Sequence, residues 1–204
     1  TNWNTGVVPG QYDNVTIPDV SAGSNRYPQL TAASGNVTIA GLTVADTGSA
    51  FVDLNSYNLT VSSYSTTAGT IRLQGTETLT GFGSPIPGTV EYYGDNDGVA
   101  DTYSGLLAGD AYTNLRFNST DAAPVDIWEL DAALSVAGNL TVSQGTLDWN
   151  DGFGPYSVTV SGNADFTGGS VNQTGTLIFI GSGSLTSGGI TLASLEVNGA
   201  GITT

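Results

Sequence analysis

Short runs in which aliphatic and β-branched residues alternate with polar ones recur along the chain at roughly 8–12-residue spacing, which is the pattern of an all-β sandwich, barrel or solenoid. They include Val37–Ile39, Leu59–Val61, Thr70–Leu73, Thr89–Tyr93, Leu115–Phe117, Leu140–Val142, Ser157–Val160, Thr176–Ile180 and Ser194–Val197, separated by Gly, Asn, Asp and Ser. No segment carries a convincing helical period. The nearest, Ile127–Val136, is short and leads straight into another strand pattern.

Internal repeats choose among the all-β architectures. Gly88-Thr89-Val90-Glu91-Tyr92-Tyr93-Gly94 matches Gly175-Thr176-Leu177-Ile178-Phe179-Ile180-Gly181, and Thr113–Asn118 matches Ala193–Asn198. The first match carries position 88 to 175 and the second 113 to 193, so the earlier copy holds about seven extra residues between its two strands. Weaker echoes link Ser34–Ile39 to Ala137–Val142 and Leu59–Ser62 to Val158–Ser161. One programme of several short strands is run about twice with drifting spacers, as the coils of a solenoid would be. Inward Val, Ile, Leu and Phe would fill a long narrow core. Gly and Asn would take the tight corners, and Thr and Val the flat stacked faces. A two-sheet β-sandwich is the structural alternative, and the drifting spacers and scarce hairpin signals count against it. The expected organisation is a single β-solenoid domain over 1–204, with internal repeats at approximately 88–118 and 175–198 and a surface insertion at 94–109. The second copy breaks off in mid-unit at Thr204, and Gly199–Thr204 does not read as a polar cap. The expectation is therefore either a longer array or an open end that stacks on another subunit.

Composition narrows the function. The chain of 204 residues has no Cys, His, Met or Lys, and its basic side chains are Arg26, Arg72 and Arg116. Eighteen acidic residues give a formal net charge of −15, yet only 10% of residues are charged. Three arginines cannot neutralise a run of phosphates, so nucleic acid and anionic membrane surfaces are disfavoured as partners. Without His, Cys or Lys, nucleophilic triads, thiol chemistry, Schiff bases and His-ligated zinc are unavailable. A two-carboxylate glycosidase stays formally open, but no motif singles out an acidic pair. The expectation is a non-enzymatic protein. No signal peptide or membrane span is visible, and the missing initial Met points to processing or an excerpt.

The pattern Asn139–Asp148, then Ser157–Asn163, then Gly175–Gly181, resembles the repeats of giant bacterial surface proteins and is similar to filamentous-haemagglutinin and autotransporter-passenger β-helices. Trp3-Asn4-x-Gly6-x-x-Pro9 followed by Asp13–Pro18 looks like the start of such domains. The resemblance implies a right-handed parallel β-helix, secretion to the cell surface, and roles in adhesion, matrix or filament formation. It brings no catalytic residues. The expected function is a structural protein of an extracellular filament or cell-surface fibre, self-associating through terminal rungs. The alternative is an adhesin or carbohydrate-binding module of a monomeric surface protein.

Three local features are candidates for chemistry. Asp95-Asn96-Asp97-Gly98-Val99-Ala100-Asp101 alternates acids around a Gly, as acidic calcium loops do, so Asp95, Asp97 and Asp101 are candidate Ca²⁺ ligands with the Val99 carbonyl beside them. The competing reading is a solvated Asp/Gly turn. Six sequons begin at Asn14, Asn36, Asn58, Asn118, Asn139 and Asn172, and make these candidate glycosylation sites. Several lie inside strand patterns, where Asn serves equally as a corner residue. Trp3, Trp128, Trp149, Tyr92 and Tyr93 could form a sugar-stacking platform or pack over the core.

Overall fold

Alternation sets each strand's two faces. Along Thr70–Leu73 the side chains run half-buried, buried, half-buried, buried, and Thr176–Phe179 repeats the pattern. The computed structural model describes residues 7–22, 26–104, 106, 111–122, 125–150, 152–199 and 201–203. Among the described residues the regular structure is all strand with no helix, and parallel strands stack in about 7 turns of a β-solenoid.

Strands are numbered in chain order. An N-terminal sheet runs β1 (Asn14–Ile17), β2 (Val37–Val44), β4 (Leu59–Ser65), β6 (Leu79–Thr80). A second sheet, on later turns, runs β8 (Thr102–Tyr103), β10 (Ile127–Glu129), β13 (Thr146–Asp148), β16 (Ser170–Asn172). The third has 12 strands. One line of it runs β3 (Phe51–Asp53), β5 (Thr70–Leu73), β7 (Ile86–Tyr92), β9 (Ala111–Asn118), β12 (Leu140–Gln144), β15 (Ala164–Asp165), β18 (Ser182–Thr186), β20 (Gly201–Thr203). A second line leaves β9 through β11 (Leu134–Val136), β14 (Val158–Val160), β17 (Thr176–Phe179) and β19 (Ser194–Val197). Every ladder between these strands is parallel. Among the described residues the single antiparallel pairing is the bridge Asn150–Pro155. This disposes of the sandwich alternative, which needs hairpin-connected antiparallel sheets.

The register explains the drifting spacers. Phe51 pairs with Thr70 and Thr70 with Thr89, then Thr89 with Asn114, Leu115 with Leu140, Leu140 with Ala164, Ala164 with Leu185 and Ser182 with Gly201. A turn therefore lengthens from 19 residues to 25, then shortens through 24 and 21 back to 19. The lengthening starts where β8 opens the second sheet, and the long turns that follow carry β10, β13 and β16. The 94–109 stretch is thus not wholly a surface insertion: Thr102–Tyr103 is a rung element, and Tyr103 is buried against Trp128 with ring centroids 6.0 Å apart. Positions 105 and 107–109 of that stretch lie outside the described residues.

The repeats also acquire a physical meaning. The two strands matched in the first copy, β7 and β9, are partners on successive turns, and so are the two in the second copy, β17 and β19. Each copy therefore records one step along the axis, but the copies lie on different lines of the long sheet. The weaker echoes likewise join β2 to β12 and β4 to β14, which belong to different sheets. Ile127–Val136, the nearest approach to a helical pattern, is divided between β10 and β11.

Stacking turns the alternation into columns. Val52, Ile71, Val90, Leu115, Leu140, Ala164 and Leu185 follow one another by register and are all buried. At about 1.5–3 kcal/mol for each large aliphatic side chain removed from water, such columns are the main favourable contribution to folding. They require each turn to cover the one beneath.

Candidate functional site

Gly94 lies two residues past the end of β7 at φ +74, and a Cβ there would stand 1.7 Å from Asp126 Oδ2. Glycine alone lets the loop of 95–101 approach the turn that follows β9, one rung further on. Five aspartates converge. One carboxylate oxygen from each of Asp95, Asp97 and Asp121 lies within 4.8 Å of the others, and the same holds for Asp95, Asp101 and Asp126. Asp95 and Asp97 are exposed, Asp101 is half-buried, and Asp121 and Asp126 are buried.

The two buried carboxylates are held differently. Asp126 Oδ2 accepts from the Ser119 hydroxyl at 2.9 Å and Oδ1 from the Asp101 amide at 3.2 Å. Burial pushes its pKa up to about 6 against those two hydrogen bonds, and the charges of Asp121 and Asp95 add to the rise. Asp121 Oδ1 accepts from the Gly98 amide at 2.8 Å. Asp121 Oδ2 is buried and has no hydrogen-bond partner. Burial raises the pKa of Asp95 as well, followed by the charges of Asp97 and Asp101. Asp97 Oδ1 accepts from the Val99 amide at 2.7 Å. The acidic loop expected from sequence is therefore present, but Asp95 joins Asp97 in one group and Asp101 in the other. Asp121 and Asp126 were not foreseen, since only the rung register brings them there.

A second polar feature lies on the outer face of the long sheet. Asp53, Arg72, Glu91, Arg116 and Thr141 are consecutive in register, so charges alternate along the axis. Arg72 Nε lies 3.5 Å from Glu91 Oε1, and Arg116 Nη1 lies 3.8 Å from Glu91 Oε2. Arg72 also stacks over the rings of Tyr93 and Phe51, at 4.3 and 5.0 Å. Phe51, Arg72, Glu91 and Arg116 line an open groove there.

Trp128 and Trp149 are 0% exposed, so they belong to the core and offer no sugar platform. Tyr92 and Tyr93 are buried too, and Trp3 lies outside the described residues. Three of the six sequon asparagines, Asn36, Asn58 and Asn139, serve the backbone. Asn36 Oδ1 accepts from the Asn58 amide and Asn58 Oδ1 from the Thr78 amide. In the later turns Asn114, Asn139 and Asn163 form a second ladder, each Oδ1 accepting from the amide of Asn139, Asn163 and Ser184 in turn, at 2.9–3.0 Å. A Cβ at Gly138 or Gly162 would stand 2.6 or 2.7 Å from the Asn Oδ1 beneath, which explains the recurring Gly-Asn pair. Asn118 and Asn172 use their side-chain nitrogens, donating to Glu91 and Asp148. Asn14 is exposed at the start of β1, with its Oδ1 close against Gly41.

The last described rung differs from those before it. Leu134, Val158 and Leu177 form a buried column that ends at Leu195, which is 41% exposed. Val136, Val160 and Phe179 form another that ends at Val197, 42% exposed. No protein-family model, curated protein or solved structure matches the chain.

Proposed function

We propose that this chain is a non-enzymatic structural element of an extracellular filament or cell-surface fibre, lengthened by end-to-end stacking of β-rungs. The observation that supports the reading is the stacking of parallel rungs around one continuous buried core, with Leu195 and Val197 exposed on the last described rung. A further rung laid on β19 and β20 would cover both residues and pair the open backbone edge. The bearing of the rod is mechanical. Parallel hydrogen bonds run along its axis, and the continuous core resists the peeling of any one turn. A surface-exposed setting fits the acidic, Lys-free and Cys-free composition.

The covering rung would come either from a second copy of the chain, stacking its first rung on β19 and β20, or from continuation of the same array. Electron microscopy of the purified chain tests this. Filaments or end-joined rods that shorten to single particles in a Leu195→Asp, Val197→Asp variant support the proposal. Wild-type particles that stay single at every concentration contradict it. Glycan binding by the same rod has one feature in its favour, the groove lined by Phe51, Arg72, Glu91 and Arg116. Retention on a glycan surface that Arg116→Ala abolishes would support that second reading.

A further inference from the structure

We propose that Asp95, Asp97 and Asp121 hold one Ca²⁺ ion that ties the loop after β7 to the turn after β9, on the next rung. Their carboxylate oxygens already lie within 4.8 Å of one another although they come from two successive turns. The independent sign of a ligand is Asp121. It is 1% exposed, one oxygen is fixed by the Gly98 amide, and the other is buried without a partner. A carboxyl oxygen withdrawn from water and left unpaired is costly, and a cation facing it removes that cost. The protein supplies no such cation from Arg72 or Arg116, which both pair with Glu91.

Asp126 plays another part. Both of its oxygens accept hydrogen bonds, from Ser119 and from the Asp101 amide, so it anchors the loop. The donor set decides the metal. With oxygen ligands only and no His or Cys in the chain, soft and borderline metals are disfavoured. Asp95 and Asp97 are exposed, so water can complete the six to eight oxygens that Ca²⁺ takes, whereas Mg²⁺ demands a near-ideal octahedron at shorter distances. The bound ion would sit where the turn lengthens and β8 opens the second sheet. It would therefore brace the point at which the cross-section changes. The inference stands whether or not the rods join end to end.

The test uses the full chain stripped with a chelator, with thermal unfolding and calorimetric titration as readouts. CaCl₂ at about 5 mM is expected to raise Tm by about 5 °C, with one ion bound per chain and a smaller response to Mg²⁺. Asp121→Asn should lose the calcium-dependent rise, whatever its Tm in chelator. Asp97→Asn, an exposed change that spares the core, should weaken calcium binding at least about tenfold, and it decides the matter if Asp121→Asn fails to fold. The proposal is overturned if the wild-type Tm does not respond to calcium, if NaCl of equal ionic strength produces the same rise, or if the variant that folds responds as the wild type does.

Discussion

The Tyr93 hydroxyl donates to Asp53 Oδ1 at 2.8 Å, across forty positions of sequence. Asp53 also accepts from the Gln29 side chain at 3.1 Å and from the Asn55 amide at 3.1 Å, with Arg72 as its register neighbour. Burial nevertheless raises its pKa, with the Tyr93 hydrogen bond and Arg72 opposing the rise. A carboxyl whose folded pKa exceeds its unfolded value binds more protons when folded, so stability falls as pH rises between the two values. Asp95 and Asp126 shift the same way, Asp126 to about 6. In chelator, Tm should therefore decline as pH rises from 3.8 towards 6. Asp53→Asn, which keeps an acceptor for Tyr93, should make that decline shallower. An equally steep decline in the variant contradicts the assignment.

Arg72 lies between Asp53 and Glu91 along the axis and over two rings. Because it is partly buried and stacked, Arg72→Ala should cost about 1–2 kcal/mol, more than an exposed ion pair contributes. Arg72→Lys should recover little, since an ammonium cannot lie flat on Tyr93 while pairing with Glu91. Urea unfolding measures both. A lysine variant as stable as the wild type would refute the stacking account.

Trp128 stacks on Tyr103 and packs at a tilt against Phe117, and its Nε1 donates to the Gln74 carbonyl at 3.1 Å. Trp128→Ala should cost about 3–5 kcal/mol and disturb the second sheet. Trp128→Phe keeps most of the packing but leaves the Gln74 carbonyl without that donor, and should cost less. Denaturant titration followed by circular dichroism separates them. Near-neutral behaviour of Trp128→Ala would place this side chain outside the core.

The asparagine ladder predicts a graded series. Asn139→Ala removes the acceptor for the Asn163 amide and should cost about 0.5–1 kcal/mol, while Asn139→Asp retains an acceptor and should cost less. Hydrogen exchange at the Asn163 amide should quicken in the alanine variant alone. Equal exchange rates in all three proteins would argue against the ladder.

The strands were legible because period-2 burial is local: Thr70–Leu73 and Leu140–Val142 are strands by pattern and in the fold. Which side of the solenoid a strand occupies was not, because it depends on turn length, which changes when β8 adds a side. For that reason Thr89–Tyr93 and Thr176–Ile180 look alike yet lie on different lines. The site divides in the same way. Asp95, Asp97 and Asp101 are visible as a local alternation, whereas Asp121 and Asp126 reach them only through the pairing of β7 with β9. The Gly-Asn pairs of Gly138-Asn139 and Gly162-Asn163 were readable as corners. Their hydrogen bonds run between turns and leave no local trace.

End-to-end stacking of rungs is the claim on which the filament reading depends, and small-angle X-ray scattering over a concentration series tests it directly. A net charge of −15 opposes association, so the series is best run in salt that screens it. The account predicts particles whose length grows with concentration while the cross-sectional radius stays constant, with growth lost in the Leu195→Asp, Val197→Asp variant. Particles of fixed length, or growth that thickens the cross-section, would contradict it.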